Sequence, residues 1–275
     1  MTRDPELLIY SDVDGTLIDD AGDNAFAACR EAAQTAQVIL ASSRTVLELA
    51  RLQEFIGLDG PVLAENGAVV AVRADDPMAS MLPGRPGDAT ILERPWRLGH
   101  LAPGIDELHA RLRHLSRDDR DIVARALTTA KAGTDREAKA RWHSFLLAMP
   151  TGSERARLID AFRDAGLRAE PGGHWIQIVS DADKGQAANA LTAAWTACHP
   201  RPFTVAIGDE SNDISLFAAV DQAYVICRPG DGHHPELLAT PGSIGLDALG
   251  IAGWEEMLTR LRSADDEPLR AARPA

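Results

Sequence analysis

Two aspartates two positions apart, Asp12 and Asp14, follow the apolar run Leu7-Leu8-Ile9-Tyr10 and precede Gly15-Thr16-Leu17. Alternate residues of an extended segment share a side, so both carboxylates face one way while Val13 turns off. Crowded acids repel unless a cation or a shared proton relieves them. A second acid pair, Asp209 and Asp213, lies four residues apart in Ile207-Gly208-Asp209-Glu210-Ser211-Asn212-Asp213. Helical coiling there puts both on one side. Carboxylate oxygens at strand ends favour a hard cation such as Mg²⁺, completed by waters and substrate phosphate oxygens. The plainer alternatives are an Asx turn ending a strand at Asp12 and an N-cap cluster opening a helix near Asp209.

Lys184 stands at the start of a helical pattern in Asp181-Ala182-Asp183-Lys184-Gly185-Gln186. A lysine there opposes the positive end of the helix dipole, so a local anion must compensate. Asp183 as a cap is one candidate and a substrate phosphoryl group the other. Ser42-Ser43-Arg44 follows another apolar run. A hydroxyl with backbone amides at a strand-to-helix junction can hold a phosphoryl oxygen. Simple helix capping by either serine is equally adequate.

These groups act together only if their strands end at one edge. Apolar runs at Val38–Ala41, Pro61–Ala64, Val69–Val72, Thr204–Ile207 and Ala223–Ile226 read as strands. They alternate with helical patterns, the signature of a parallel α/β sheet, whose ligands bind beyond the carboxyl ends of the strands. Thr45-Val46-Leu47-Glu48 reads as a capping box, opening a helix that buries Val46, Leu49, Leu52 and Ile56 and closes at Gly57. Glu65-Asn66-Gly67 reads as a turn. From about Pro83 to Gly173 glycine and proline punctuate, then arginines crowd Asp106–Arg141. Phe145–Met149 and Trp175–Val179 read as strands flanking a helix over Glu154–Ala165, a plausible inserted α/β unit.

The chain has 275 residues, 45% hydrophobic and 25% charged, with a formal net charge of −13. That is an ordinary globular composition. It offers no basic stripe for a nucleic-acid backbone or an anionic membrane. Cys29, Cys198 and Cys227 are odd in number and in no ligand spacing, so they read as reduced thiols in a cytoplasmic setting. Met1-Thr2-Arg3-Asp4-Pro5 has no apolar signal core, and no run approaches a membrane span.

Two acids, a hydroxyl, a cation and a second acid cluster, in that order, resemble the motif set of haloacid-dehalogenase-superfamily phosphatases. The matched positions run from Ser11 to Asp213. The resemblance implies that Asp12 is the nucleophile and a metal ligand. It implies that Asp14 protonates the leaving alkoxide, then activates water, while its backbone carbonyl touches Mg²⁺. Ser42 and Lys184 would hold the phosphoryl group, Asp209 would ligate the metal, and Asn212 and Asp213 would support it. An acid role for Asp14 asks that neighbouring carboxylates and burial raise its pKa.

The large insertion between Ser42 and Lys184 resembles members with an α/β (C2B-type) cap. The expected fold is therefore α/β: a Rossmann-like parallel-sheet core over 1–82 and 179–263, with a smaller cap over 83–178. A frayed tail would follow from 264 to 275. Leu40–Thr45, Ala64-Glu65-Asn66-Gly67-Ala68 and Gly172-Gly173-His174-Trp175 are similar to the mannosyl-3-phosphoglycerate phosphatase branch. Arg141-Trp142-His143-Ser144 fits a further branch stretch, but Phe145-Leu146 replaces its acidic and proline positions. By this resemblance Ser43, Arg44, Asn66, Arg141, Ser144, Gly173 and His174 are the substrate contacts. The implied partner is a small phosphorylated sugar compound, mannosyl-3-phosphoglycerate first. Rival readings are glucosyl-3-phosphoglycerate or sucrose phosphate as substrate, or a catalytically silent module on the same scaffold.

Overall fold

The computed structural model describes residues 7–19, 21–126, 141–148, 153–172 and 175–264. The chain opens with β1 (Leu7–Ser11), α1 (Phe26–Ala32), β2 (Gln37–Ala41) and α2 (Val46–Ile56). Four strands follow without an intervening α-helix: β3 (Val62–Ala64), β4 (Val69–Arg73), β5 (Arg85–Ile91) and β6 (Arg94–His100). Then come α3 (Ile105–Arg111), α4 (117–126), β7 (Phe145–Ala148), α5 (Ser153–Asp164), β8 (Arg168–Gly172) and β9 (Trp175–Val179). The last stretch holds α6 (Lys184–Cys198), β10 (Phe203–Gly208), α7 (Ile214–Phe217) and β11 (Gln222–Cys227). It ends in α8 (Pro235–Ala239), β12 (Ser243–Leu249) and α9 (Gly253–Ala264).

Nine strands form one sheet in the order β12-β11-β10-β1-β2-β3-β4-β6-β5. From β12 to β3 the pairing is parallel, and β4, β6 and β5 are added antiparallel. Chain order runs outward from β1 to β4 on one side and from β10 to β12 on the other. The β1–β10 seam is therefore a topological switch point, where such sheets bind ligands. Both sheet faces are covered, which is why the central strands are continuously apolar. Ile9, Val38, Leu40, Val205 and Ile207 pack on one side and Leu8, Tyr10, Ile39 and Ala206 on the other. α9 was not among the elements read from the sequence. Its Trp254, Met257, Leu258 and Leu261 recur at helical spacing and bury against the first face.

α2 begins as the capping box predicts. The Thr45 hydroxyl accepts from the Glu48 amide, and Glu48 accepts in return from the Thr45 amide. Gly57 closes the helix at φ 87°. Ala50 and Gln53 are buried beside Val46, Leu49 and Ile56, while Leu52 is only partly covered.

The smaller sheet is antiparallel in the order β7-β9-β8. Phe145, Leu147, Ile176 and Ile178 face a separate apolar cluster with Leu108, Ile122, Leu158 and Phe162. Gln177, paired with Glu170 in register, lies on the opposite face. The large sheet reaches further into the chain than the sequence predicts. Within residues 85–100, expected in the insertion, β6 pairs with β4 and β5 with β6, and both lengthen the large sheet instead. The turn joining β5 to β6 uses Leu92 and Glu93 at φ 52° and 61°, without the Asn-Gly signature that marks such hairpins. Gly173, His174 and the tail beyond 264 lie outside the described residues. Among the described residues no helix is long and apolar enough to cross a membrane.

Candidate active site

The Asp12 amide still bonds the Ile207 carbonyl at 3.0 Å, so the chain leaves β1 in register with β10. It then turns within three residues, with Gly15 at φ 86°. A Cβ at Gly15 would lie 2.6 Å from an Asp209 carboxylate oxygen, so glycine answers both the backbone angle and the close approach. The Thr16 hydroxyl donates to Asp209 at 3.1 Å. One turn thus ties the first acid pair to the second.

Lys184 is the first residue of α6, and its side chain has no exposed surface. Asp183 caps the helix by accepting from the Gln186 amide at 2.8 Å, and it does not neutralise the lysine. That task falls to Asp12 and Asp213, whose carboxylates accept from Nζ at 2.6 and 2.7 Å. The other Asp213 oxygen accepts from the Asp209 and Glu210 amides at 3.2 and 3.3 Å. Asp213 is fully occupied as a brace.

Asp12, Asp209 and Asp213 are all buried, and one oxygen of each lies within 4.8 Å of the others. Three carboxylates share one ammonium. Burial, opposed by Lys184 and reinforced by Asp213 and Asp209, holds Asp12 well above its ordinary pKa. Burial and then Asp213 push Asp209 up to about 7. Burial works against the Lys184 charge, yet Asp12 and Asp213 outweigh it and hold its pKa above the ordinary value. The cluster is short of positive charge, and its donors are all oxygen. It suits a hard divalent cation, with Asp12 and Asp209 the carboxylates left to bind one.

Asp14 differs from this expectation. Its side chain is 55% exposed and held by Arg44 through two bonds, Nη2 to Oδ1 at 2.5 Å and Nε to Oδ2 at 3.1 Å. The burial and crowding expected around Asp14 fall on Asp12 and Asp209 instead. Ser42 is buried, and its hydroxyl accepts from the Arg44 amide at 3.3 Å.

The turn at Glu65-Asn66-Gly67 sits beside this loop. Asn66 donates to Gln177 of β9 at 2.9 Å and accepts from Asn212 at 3.2 Å, a row of three amides from cap to acid loop. A cavity of about 200 Å³ opens beside it, lined by Asn66, Lys184, Asn212, Ser211, Arg168 and Glu170 among others. Arg141 and Ser144 do not line it. The Arg141 guanidinium donates to the Ser43 carbonyl at 3.0 Å and to the Ser144 hydroxyl at 3.2 Å. Both residues lie in the segment that leads into β7, and Arg141 ties that segment to the Ser42–Arg44 loop.

Glu65, Gln177, Arg168 and Glu170 were missed as site residues. Glu65 has no exposed surface. A single acid in a turn carries no spacing signal. Strand alternation does place Gln177 opposite the apolar pair Ile176 and Ile178, a pattern that marks a polar sheet face.

Residues 9–82 match the haloacid dehalogenase-like hydrolase family. A glucosyl-3-phosphoglycerate/mannosyl-3-phosphoglycerate phosphatase of Methanococcoides burtonii is 24% identical over 265 residues, covering 92% of this chain and 96% of its own. A Thermoplasma acidophilum crystal structure is similar at TM-score 0.65 and 16% identity, over 93% and 97% of the two chains. The sucrose-phosphatase of Synechocystis, solved with sucrose and phosphate, is similar at TM-score 0.55 and 16% identity, over 95% and 98%. The family match covers residues 9–82, and the chain as a whole shares the fold of these solved structures.

Proposed function

We propose that the protein removes phosphate from a small phosphorylated sugar compound with Mg²⁺ bound, through an aspartyl-phosphate on Asp12. The observation that carries this reading is the buried cluster of Asp12, Lys184, Asp213 and Asp209. Asp12 and Asp209, with the Asp14 backbone carbonyl, would hold the metal, which when bound would neutralise phosphoryl oxygens that otherwise repel an anionic nucleophile. An Asp12 oxygen forms the bond to phosphorus as the ester P–O bond breaks. Asp14 gives its proton to the departing alkoxide. It then takes one from the water that attacks the aspartyl-phosphate and frees inorganic phosphate. Lys184, Ser42 and the adjoining amides hold the phosphoryl group throughout, and Asn212 and Asp213 keep the acid loop in place. For Asp14 to act, its ion pair with Arg44 must open, which an anionic substrate drawing Arg44 away would achieve.

Glycosyl-3-phosphoglycerate is the leading substrate, on the likeness to the Methanococcoides phosphatase. Ser43, Arg44 and Asn66 are its contacts on the core side, and Gly173 and His174 those expected from the cap. One observation favours a second reading. Arg168, the cap arginine on the cavity, is already 3.3 Å from Glu170 and donates to the Ala182 carbonyl. A neutral leaving group, as in sucrose phosphate, makes no claim on that cation. Rates on mannosyl- and glucosyl-3-phosphoglycerate, 3-phosphoglycerate and sucrose phosphate separate the readings. Hydrolysis should require Mg²⁺ and fall at least ~10³-fold in Asp12→Asn. A folded Asp12→Asn that keeps its activity removes Asp12 from the chemistry.

A further inference from the structure

Glu65 is a buried carboxylate that the reaction above does not use. Its side chain reaches 77 to 79 positions along the chain to the segment of the insertion that leads into β7. One oxygen accepts from the Trp142 amide at 2.8 Å. The other accepts from the His143 amide at 3.0 Å and the Ser144 hydroxyl at 2.5 Å. Three donors converge on a group that only accepts, which is the property that sets a carboxylate apart from an amide.

The backbone around Glu65 faces the other way, onto the loop expected to hold phosphate. The Asn66 amide donates to the Ser42 carbonyl at 2.9 Å and the Glu65 amide to the Arg44 carbonyl at 2.9 Å. Arg141, from the same segment, donates to the Ser43 carbonyl at 3.0 Å. Three successive carbonyls are therefore pinned, two by the Glu65 turn and one by the segment Glu65 holds. A planar peptide with its carbonyl fixed has its amide direction fixed as well. Glu65 keeps φ 51° and Asn66 φ 55°, a conformation side chains seldom adopt and one the surrounding bonds maintain.

We propose that Glu65 is a positioning residue that couples the seat of the inserted domain to the shape of the Ser42–Arg44 loop, and through it to phosphate affinity. This rests on the phosphatase reading of the site. Arg141 and Ser144 act with Glu65 in this coupling.

The test compares the full-length protein with Glu65→Gln and Ser144→Ala, using p-nitrophenyl phosphate as substrate and inorganic phosphate as inhibitor, with Tm recorded alongside. Glu65→Gln turns an NH₂ toward a donor. Its Ki for phosphate should rise, and its kcat/KM should fall, by about tenfold or more. Ser144→Ala leaves both backbone donors on Glu65, and its Ki should rise about threefold, the scale of one hydrogen bond. A Glu65→Gln with lowered Tm but unchanged Ki and kcat/KM makes Glu65 purely structural and overturns the proposal. Where Glu65→Gln does not fold, an unchanged Ki in Ser144→Ala overturns it equally. A wild-type protein that neither hydrolyses phosphate esters nor binds phosphate contradicts the phosphatase reading instead.

Discussion

Lys184 lies 2.6 Å from Asp12 and 2.7 Å from Asp213, and none of its side chain reaches solvent. A buried ion pair is expensive to assemble, but removing one partner costs more, because it strands the other charge. Lys184→Met would strand two. It should therefore destabilise the metal-free protein by on the order of 3–5 kcal/mol as well as abolish activity. Urea unfolding with and without Mg²⁺ checks this, since a divalent ion at the acids should recover part of the loss. A loss under ~1 kcal/mol in both conditions would mean the cluster does not hold its charges as described. This part of the site was legible in the sequence. Asp12, Lys184, Asp209 and Asp213 are marked by type, spacing and place at the ends of apolar runs, whereas Asp14 lacks the burial expected of it. The roles of neighbours were less visible. The sequence offers Asp183 or a substrate phosphoryl group as the anion beside Lys184, and the structure places Asp12, just beyond β1, and Asp213 of the acid loop there. Arg141 was singled out as a substrate contact, and the structure binds it to the Ser43 carbonyl.

The end of β6 and the segment leading into β7 are joined by histidines. The His143 Nδ1 lies 2.8 Å from the Pro103 carbonyl, which can only accept, so that nitrogen carries the proton. Its Nε2 then accepts from His100 Nδ1 at 2.6 Å. Burial, then His143, then Arg85 lower the His100 pKa from 6.5 to about 4. The unfolded chain takes up this proton first, so the stabilisation is whole above pH 6.5 and is lost as pH falls toward 4. Tm should drop across that window, and His100→Asn should flatten the drop. Parallel Tm curves for both proteins would remove the histidine pair from the account. The β5–β6 hairpin shows why this region was read as part of the insertion. Gly84, Pro86 and Gly87 looked like linker punctuation, while Leu92 and Glu93 adopt turn angles that their types do not advertise.

For the molecule as a whole, a parallel sheet with an insertion was readable, because both sheet faces are covered and the strands are apolar throughout. The seam between sheet and insertion was not. It depends on β4 pairing with β6, a partnership that strand composition does not encode. A metal ion held as proposed would tie the whole fold to the acid cluster by mass action. At a hundred times its Kd a ligand stabilises by about 2.7 kcal/mol, which for a protein of this size raises Tm by roughly several degrees. Mg²⁺ should produce that shift in the wild type, and Asp209→Asn should lose it. Equal shifts in both would place the ion elsewhere.

The most direct measurement is chemical. The wild type and Asp14→Asn are mixed with a phosphorylated substrate and Mg²⁺, quenched in acid within milliseconds, and digested for mass spectrometry. The account predicts one phosphoryl group on the peptide carrying Asp12, accumulating further in Asp14→Asn, where water is not activated. A phosphoryl group on any other residue, or steady turnover with Asp12 never modified, would contradict it.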